Sequence, residues 1–113
     1  MIQITIFQNH KKECMGFQTA GHAEYAESGQ DIVCAAVSVL MINTVNAIEA
    51  FTSDEISCFS DEEEGILVCH LTDHPSKDTN LLMNTMLLGI QEMASDENYA
   101  GYMKLSFEEV QQP

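Results

Sequence analysis

The sequence has no tryptophan and only two prolines, and its four basic residues face 18 acidic ones. The resulting formal net charge of -14 would repel phosphate backbones rather than release counterions from them. We therefore expect no direct binding to nucleic acid or to an anionic membrane surface. A basic peptide or protein, in contrast, would be attracted to this chain.

Targeting and membrane-spanning patterns are also missing. The first residues, MIQITIFQNHKKE, lack the basic start and the apolar length of a signal sequence. No run approaches the roughly 20 apolar residues of a membrane span, so we expect a cytoplasmic protein without membrane contact. With 113 residues and 45% hydrophobic content, residues 1–113 are expected to form a single globular domain.

Metal-type cysteine spacing is absent as well. The four cysteines are Cys14, Cys34, Cys58 and Cys69. Because a cytoplasmic protein seldom carries disulfides, all four are predicted to be free thiols, with Cys14 and Cys58 buried in apolar strands. Cys69, His70 and His74 do not predict a metal site, since adjacent strand residues point to opposite faces and no fourth ligand is evident. We expect no metal and no other cofactor.

The periodicity of the apolar residues predicts an α+β fold, with a small, mostly antiparallel sheet covered by two helices. The expected element order is β-β-α-β-β-α-β. The first helix should span roughly residues 32–50, and the second should be capped by Ser76 or Asp78. Strands are expected within residues 2–7, 14–23, 54–60, 65–71 and 102–110. Apolar stripes should pack the helices on the sheet: Val33, Val37, Leu40, Met41, Thr44, Val45 and Ile48 in the first, and Met83, Met86, Leu87, Ile90 and Met93 in the second.

Residues 20–40, AGHAEYAESGQDIVCAAVSVL, place a histidine at a predicted strand end and a cysteine at a predicted helix start. If Asp31 is the N-cap, Cys34 lies in the first turn, where the helix dipole and unpaired amides favour a thiolate and can stabilise an oxyanion. Small Ala35 and Ala36 leave room beside the sulfur. However, a cysteine in the first turn of a core helix more often serves packing alone, so local pattern leaves both readings open.

The combination of GHA at residues 21–23 with GQDIVCAAVSVL at residues 29–40 resembles the ribosomal-processing cysteine protease family, also called Prp. The likeness covers almost the whole chain, although NYAGYMKL lacks a proline often expected before the last strand. The resemblance implies that Cys34 is the nucleophile and His22 the general base and acid. It leaves Asp31 as either an orienting residue or a helix cap, and Ser38 as either a supporting or a packing residue.

The same resemblance implies a substrate and an assembly. Family members trim the short N-terminal extension of large-subunit ribosomal protein twenty-seven, after an aromatic pair and before ribosome assembly, and they usually form homodimers. A mobile loop would admit the peptide, and it comprises Ala23, Glu24, Tyr25, Ala26, Glu27, Ser28, Gly29 and Gln30.

Two other classes of function remain open at this point. The chain could be a noncatalytic acidic module that binds a basic ribosomal protein and uses Cys34 only for packing. It could also be a redox-sensing thiol protein, which would need a resolving cysteine close to Cys34, and the fold would have to supply Cys58 or Cys69.

Overall fold

The computed structural model describes residues 1–21 and 28–111, with the backbone alone for residues 28–30. The predicted order of two strands, a helix, two strands, a helix and a strand is confirmed. A short 3₁₀ helix, Ala100–Tyr102, leads into the last strand, at the place where the proline was missing. The elements are β1 (Ile2–Gln8), β2 (Cys14–Ala20), α1 (Ser28–Phe51), β3 (Ile56–Asp61), β4 (Ile66–Leu71), α2 (Lys77–Ser95) and β5 (Met103–Glu109).

The five strands form one sheet in the order β3-β4-β2-β1-β5. All neighbours pair antiparallel except β1 and β5, which are parallel, so the mostly antiparallel sheet is confirmed. The chain passes from β2 to β3 through α1 and from β4 to β5 through α2. The connection through α2 is long enough to bring β5 parallel to β1, which a tight turn could not do. β3 and β5 are the edge strands.

The hydrophobic core lies between one face of the sheet and the two helices. Alternate residues of β1, Ile2, Ile4 and Ile6, are buried, as expected for a strand with one covered face. The stripe predicted for α1 buries Val33, Val37, Met41, Thr44 and Ile48. The α2 stripe buries Met83, Met86 and Ile90. Leu40, Val45, Leu87 and Met93 pack at the margin of the same core.

The N-terminus of α1 differs from the prediction. The helix begins at Ser28, so Asp31 lies inside the first turn and is not the N-cap. Cys34 is consequently the seventh helical residue and not a first-turn residue. Ser28–Gln30, predicted as the end of the loop, are helical. The sequence offers no proline to stop the helix here, and Gly29 costs only about 1 kcal/mol relative to alanine.

The N-terminus of α2 agrees with one of the two predicted caps. The Ser76 side chain accepts a hydrogen bond from the Thr79 amide at 3.3 Å, which makes Ser76 the N-cap. Asp78 lies in the first turn, where its charge complements the helix dipole. The Asp54 carboxylate accepts a further hydrogen bond from the Ser76 amide at 2.8 Å and so ties this cap to the end of α1.

The expectation about membrane-spanning length needs correction. Within α1, Asp31–Phe51 is long and apolar enough to cross a membrane by length and composition alone. A helix at the core of a globular fold meets the same criterion. One face of α1, including Val37 and Met41, is buried in the core described above.

The prediction of four free thiols is wrong for two of them. Cys58 and Cys69 form a disulfide between β3 and β4, with their Cα atoms 4.1 Å apart. The two residues are directly opposite in the hairpin register, which their spacing in the sequence did not reveal. Cys58 is also exposed, whereas a buried position was predicted. Cys14 is buried and free, as predicted.

Candidate active site

A groove of about 380 Å³ runs between α1, the start of β1, the end of β2 and the turn joining β3 to β4. This volume falls within the range of small-ligand and peptide side-chain sites. Most of its surface is apolar, with a few polar groups. Among the described residues, its lining comprises Ile2, Thr19, Ala20, Gly21, Cys34, Val37, Ser38, Ile42, Ser60, Asp61, Glu62, Gly65, Ile66 and Leu67.

Cys34 reaches the groove from the second turn of α1. Cys34 is partly exposed and also packs against the hydrophobic core. One side of the residue is therefore in contact with the core, and the other is accessible from solvent. The other three cysteines are not available for nucleophilic chemistry. Cys58 and Cys69 are joined in the disulfide, and burial raises the pKa of the Cys14 thiol to about 11. Cys34 is therefore the one cysteine of the chain that is both free and accessible.

Gly21, which follows the end of β2, lines the same groove as Cys34. Its amide donates a hydrogen bond to the Gly65 carbonyl at 3.1 Å. Its φ of +142° is a conformation that favours glycine, and an added Cβ would lie 3.0 Å from the Met1 carbonyl oxygen. His22 follows Gly21 directly in the chain. His22 itself and residues 23–27 of the predicted access loop lie outside the described residues.

Ser38 lies one turn beyond Cys34 on α1 and lines the same groove, so the structure brings these two predicted site residues together. Asp31 lies one turn before Cys34, and its side chain is exposed. It is not among the groove-lining residues. The predicted capping role of Asp31 is wrong, and its role as an orienting residue stays a prediction.

Sequence reasoning missed the wall of the groove that the β3–β4 hairpin supplies. This wall contains Ser60, Asp61, Ile66 and Leu67. The turn DEEEG was predicted only as a solvated hairpin tip. The Gly65 carbonyl in that turn accepts a hydrogen bond from the Gly21 amide, and this contact holds the hairpin tip beside the groove. The sequence pattern identified β2 and β4 as strands. It did not show that they are neighbours, because the strand order in the sheet cannot be read from the pattern of each strand alone.

The wall also carries charge. Asp61 and Glu62 lie along the groove, next to the further acidic residues of the turn. In a chain of net charge -14, this end of the groove favours a basic segment of a ligand over an acidic one. The apolar residues around Cys34 favour an apolar segment beside it.

Three comparisons with known proteins agree with this arrangement. The family model of the cysteine protease Prp matches residues 1–104. The ribosomal processing cysteine protease Prp of Staphylococcus aureus (strain Mu50 / ATCC 700699) is 30% identical over 107 residues, covering 95% of this chain and 99% of that protein. The Prp of Bacillus subtilis (strain 168) is 48% identical over a shorter stretch of 48 residues, which is 42% of this chain and 43% of that protein.

Solved structures show the same fold. The S. aureus Prp, an essential ribosomal processing protease, has a crystal structure in complex with a substrate peptide, with a TM-score of 0.87, 28% identity and coverage of 96% of this chain and all 100% of that one. Its complex with a covalently linked product peptide has a TM-score of 0.82, 30% identity and the same coverage. The Streptococcus mutans protein SMU.848 has a TM-score of 0.84 and 33% identity, covering 97% and 99% of the two chains.

The family match extends over nearly the whole length, and the accessible free thiol of the chain lies in the groove. This chain therefore belongs to the ribosomal-processing cysteine protease family Prp.

Proposed function

We propose that this protein is a cysteine endopeptidase that removes the short N-terminal extension of large-subunit ribosomal protein twenty-seven before ribosome assembly. The observation that carries the proposal is the position of Cys34. It is the free and accessible cysteine of the chain, and it opens into a groove large enough to hold peptide side chains. Its relatives from S. aureus are bound to a substrate peptide and to a covalently linked product peptide.

In the proposed reaction, His22 accepts the proton of the Cys34 thiol, and the thiolate attacks the scissile carbonyl carbon. The carbon–nitrogen bond breaks, His22 protonates the leaving amine, and an acyl-enzyme thioester remains. Water, deprotonated by His22, then attacks the thioester, and the Cys34 thiol is released with the carboxylate product. Support for this pairing comes from Gly21, which lines the groove with Cys34 and immediately precedes His22 in the chain.

The groove suits the proposed substrate in both polarity and charge. Ile42 and Leu67 present apolar surface in the groove for the apolar residues on the acyl side of the cleaved bond. Asp61 and Glu62 lie on the hairpin wall, where they would attract the basic body of a ribosomal protein. The net charge of -14 extends this attraction over the whole molecule.

The proposal includes the cytoplasm as the place of action and a homodimer as the assembly. The cytoplasm is where a ribosomal protein would be trimmed before assembly. An exposed apolar part of α1 outside the groove supports the dimer: Ile32 and Val39 are 57% and 66% exposed. Apolar side chains of this size are often covered in oligomers. Analytical ultracentrifugation of the purified protein tests the assembly, and a monomer at all concentrations would contradict it.

The decisive experiment for the activity is cleavage of a peptide that spans the extension and the first residues of the mature ribosomal protein. The products are identified by mass spectrometry. Cleavage is expected after the aromatic pair, and it should be lost in Cys34→Ala and in His22→Ala. His10→Ala is the matched control, because His10 is an exposed turn residue away from the groove and its substitution should leave the rate unchanged.

A second measurement separates the protease from a noncatalytic acidic module. Rapid acid quenching should trap a wild-type species heavier by the mass of the acyl portion of the peptide, and digestion should locate this mass on Cys34. Unchanged cleavage in Cys34→Ala would overturn the assignment of the nucleophile. Tight binding of the peptide without any cleavage by the wild-type protein would favour the noncatalytic module.

A further inference from the structure

The Cys58–Cys69 disulfide ties an edge strand to the rest of the sheet. Cys58 lies on β3, which is hydrogen-bonded on one side only, and Cys69 lies on β4, inside the sheet. The two residues are directly opposite each other, and their Cα atoms are 4.1 Å apart. The bridge therefore supplements the hydrogen bonds that hold β3 in register.

The same two strands build one wall of the groove. Ser60 lies opposite Leu67 in the hairpin, two residue pairs closer to the turn than Cys58 and Cys69. Both Ser60 and Leu67 line the groove. Because side chains alternate between faces, this pair lies on the same face of the hairpin as the disulfide. The covalent link is thus two pairs away from the wall that faces Cys34.

The two cysteines of the bridge differ in their exposure to solvent. Cys58 is exposed, whereas Cys69 is only 1% exposed and belongs to the hydrophobic core. We therefore expect an attacking thiolate in solution to approach the bridge from the side of Cys58. The exposed end of the bridge makes it reducible by small thiols without prior unfolding.

We propose that the Cys58–Cys69 pair is a reversible thiol–disulfide exchange site that fixes the hairpin wall and thereby strengthens peptide binding in the groove; this inference rests on the proposed function. In reduction, the thiolate of a small dithiol attacks the Cys58 sulfur and forms a mixed disulfide, and Cys69 leaves as a thiolate that takes up a proton. The second thiol of the reductant then resolves the mixed disulfide and releases Cys58. In oxidation, two protein thiols react with one molecule of glutathione disulfide and give the bridge and two molecules of glutathione.

The oxidised form should bind peptide more tightly because its wall is ordered before binding. In the reduced form, β3 is held by its hydrogen bonds to β4 and by the packing of Ile56 against the core, without a covalent link, so binding must also restrict the motion of an edge strand. We expect the dissociation constant of the peptide to be at least threefold lower in the oxidised form. Disulfides inside cytoplasmic proteins are typically transient and redox-sensing, which suits a reversible bridge of this kind.

The test uses the Cys34→Ala protein, so that the redox reagents cannot modify the proposed nucleophile. It is equilibrated with glutathione disulfide or with dithiothreitol, desalted and denatured, and its free thiols are counted. The oxidised form should show one thiol, that of Cys14, and the reduced form three. Binding of the fluorescently labelled, uncleaved peptide is measured on each form. The same protein with Cys58→Ser should bind with one affinity under both conditions, whereas Ser57→Ala, on the same strand, should retain the difference.

Amide hydrogen exchange over residues 56–71, measured without peptide, keeps this proposal distinguishable from the proposed function. Exchange should be slower in the oxidised form. Failure of glutathione disulfide to form the bridge, or equal affinity and equal exchange in the two forms, would overturn the redox proposal. If neither form bound the peptide and the wild-type protein did not cleave it, the proposed function would be overturned, and slower exchange in the oxidised form would still support the redox site.

Discussion

The amide of Gly21 donates a hydrogen bond to the carbonyl of Gly65, 3.1 Å away, and joins the end of β2 to the β3–β4 turn. This contact holds together two walls of the groove that opens at Cys34. Gly21 also immediately precedes His22 in the chain. The local backbone of Gly21 is thus a determinant of the site, although the residue has no side chain.

Gly21→Ala should lower kcat/KM by about tenfold or more. An added Cβ would approach the Met1 carbonyl oxygen at 3.0 Å and would be strained at a φ of +142°. The close contact and the strain can be relieved only if the backbone moves. A shift of even about 1 Å near the reacting groups can lower the rate about 100-fold. Peptide cleavage and thermal unfolding should be measured together. Gly101→Ala is the matched control, because a Cβ there meets nothing within 4 Å, and loss of activity in that variant as well would contradict the explanation.

Ser38→Leu should raise KM for the peptide about tenfold with a smaller effect on kcat. Ser38 lines the groove one turn beyond Cys34, so a larger side chain occupies space that the peptide needs. Steady-state kinetics separate the two parameters. Asn43→Leu is a suitable control, since Asn43 is exposed on the same helix and does not line the groove.

Ser38→Ala distinguishes the two roles that the sequence left open for this residue. If Ser38 only shapes the groove, removal of its hydroxyl should change kcat by less than about twofold, because the alanine side chain fits the same space. A loss of tenfold in kcat at unchanged KM would instead show that the hydroxyl supports the chemistry.

The order of the elements and the buried stripes could be predicted from the sequence because they depend on local periodicity. Ile2, Ile4 and Ile6 alternate as a half-buried strand does, and Val33, Val37 and Met41 recur at helical spacing. The start of α1 could not be placed as well. Asp31 is a good N-cap type, yet the helix continues back to Ser28, since cap preferences are worth only about 1 kcal/mol.

The site was predicted in part. Cys34 and Ser38 line one groove as residues one turn apart on a helix should. The disulfide and the hairpin wall were not predictable, since both depend on register and strand order. A shift of one residue between β3 and β4 would have placed Cys58 and Cys69 on opposite faces.

Brief alkylation of the native protein with iodoacetamide near pH 7.5 should label Cys34 much faster than Cys14. Cys34 is partly exposed, whereas Cys14 is 2% exposed, and burial raises its thiol pKa to about 11. Only the thiolate reacts, so Cys14 is protected by both factors. Digestion and mass spectrometry locate the label. Equal labelling of Cys14 in the native state would contradict its burial, and labelling of Cys14 after denaturation provides the positive control.

Glu13→Gln should reduce the free energy of unfolding at neutral pH by about 1.5 kcal/mol, the low end of the usual contribution of hydrogen bonds to a charged group. The Glu13 carboxylate accepts hydrogen bonds from Asn9 at 2.8 Å and from Asn80 at 3.0 Å, and it thereby joins the β1–β2 turn to α2. These bonds, that from Asn9 first, lower the pKa of Glu13 below its ordinary value. His74, whose Nε2 atom lies 3.5 Å from the carboxylate, lowers it further.

The lowered pKa fixes the pH dependence of this effect. The folded state binds the Glu13 proton less readily than the unfolded state does, so the stabilisation is fully present above the unfolded pKa and is lost as pH falls through the folded pKa. The difference between wild type and Glu13→Gln should therefore be constant near pH 7 and shrink below about pH 4.5, where an ordinary glutamate is about half protonated. Urea unfolding at several pH values measures it. Glu108→Gln removes the same charge from an exposed position on β5, and an equal pH-dependent difference in that variant would show that net charge, and not the Asn9 and Asn80 contacts, causes the effect.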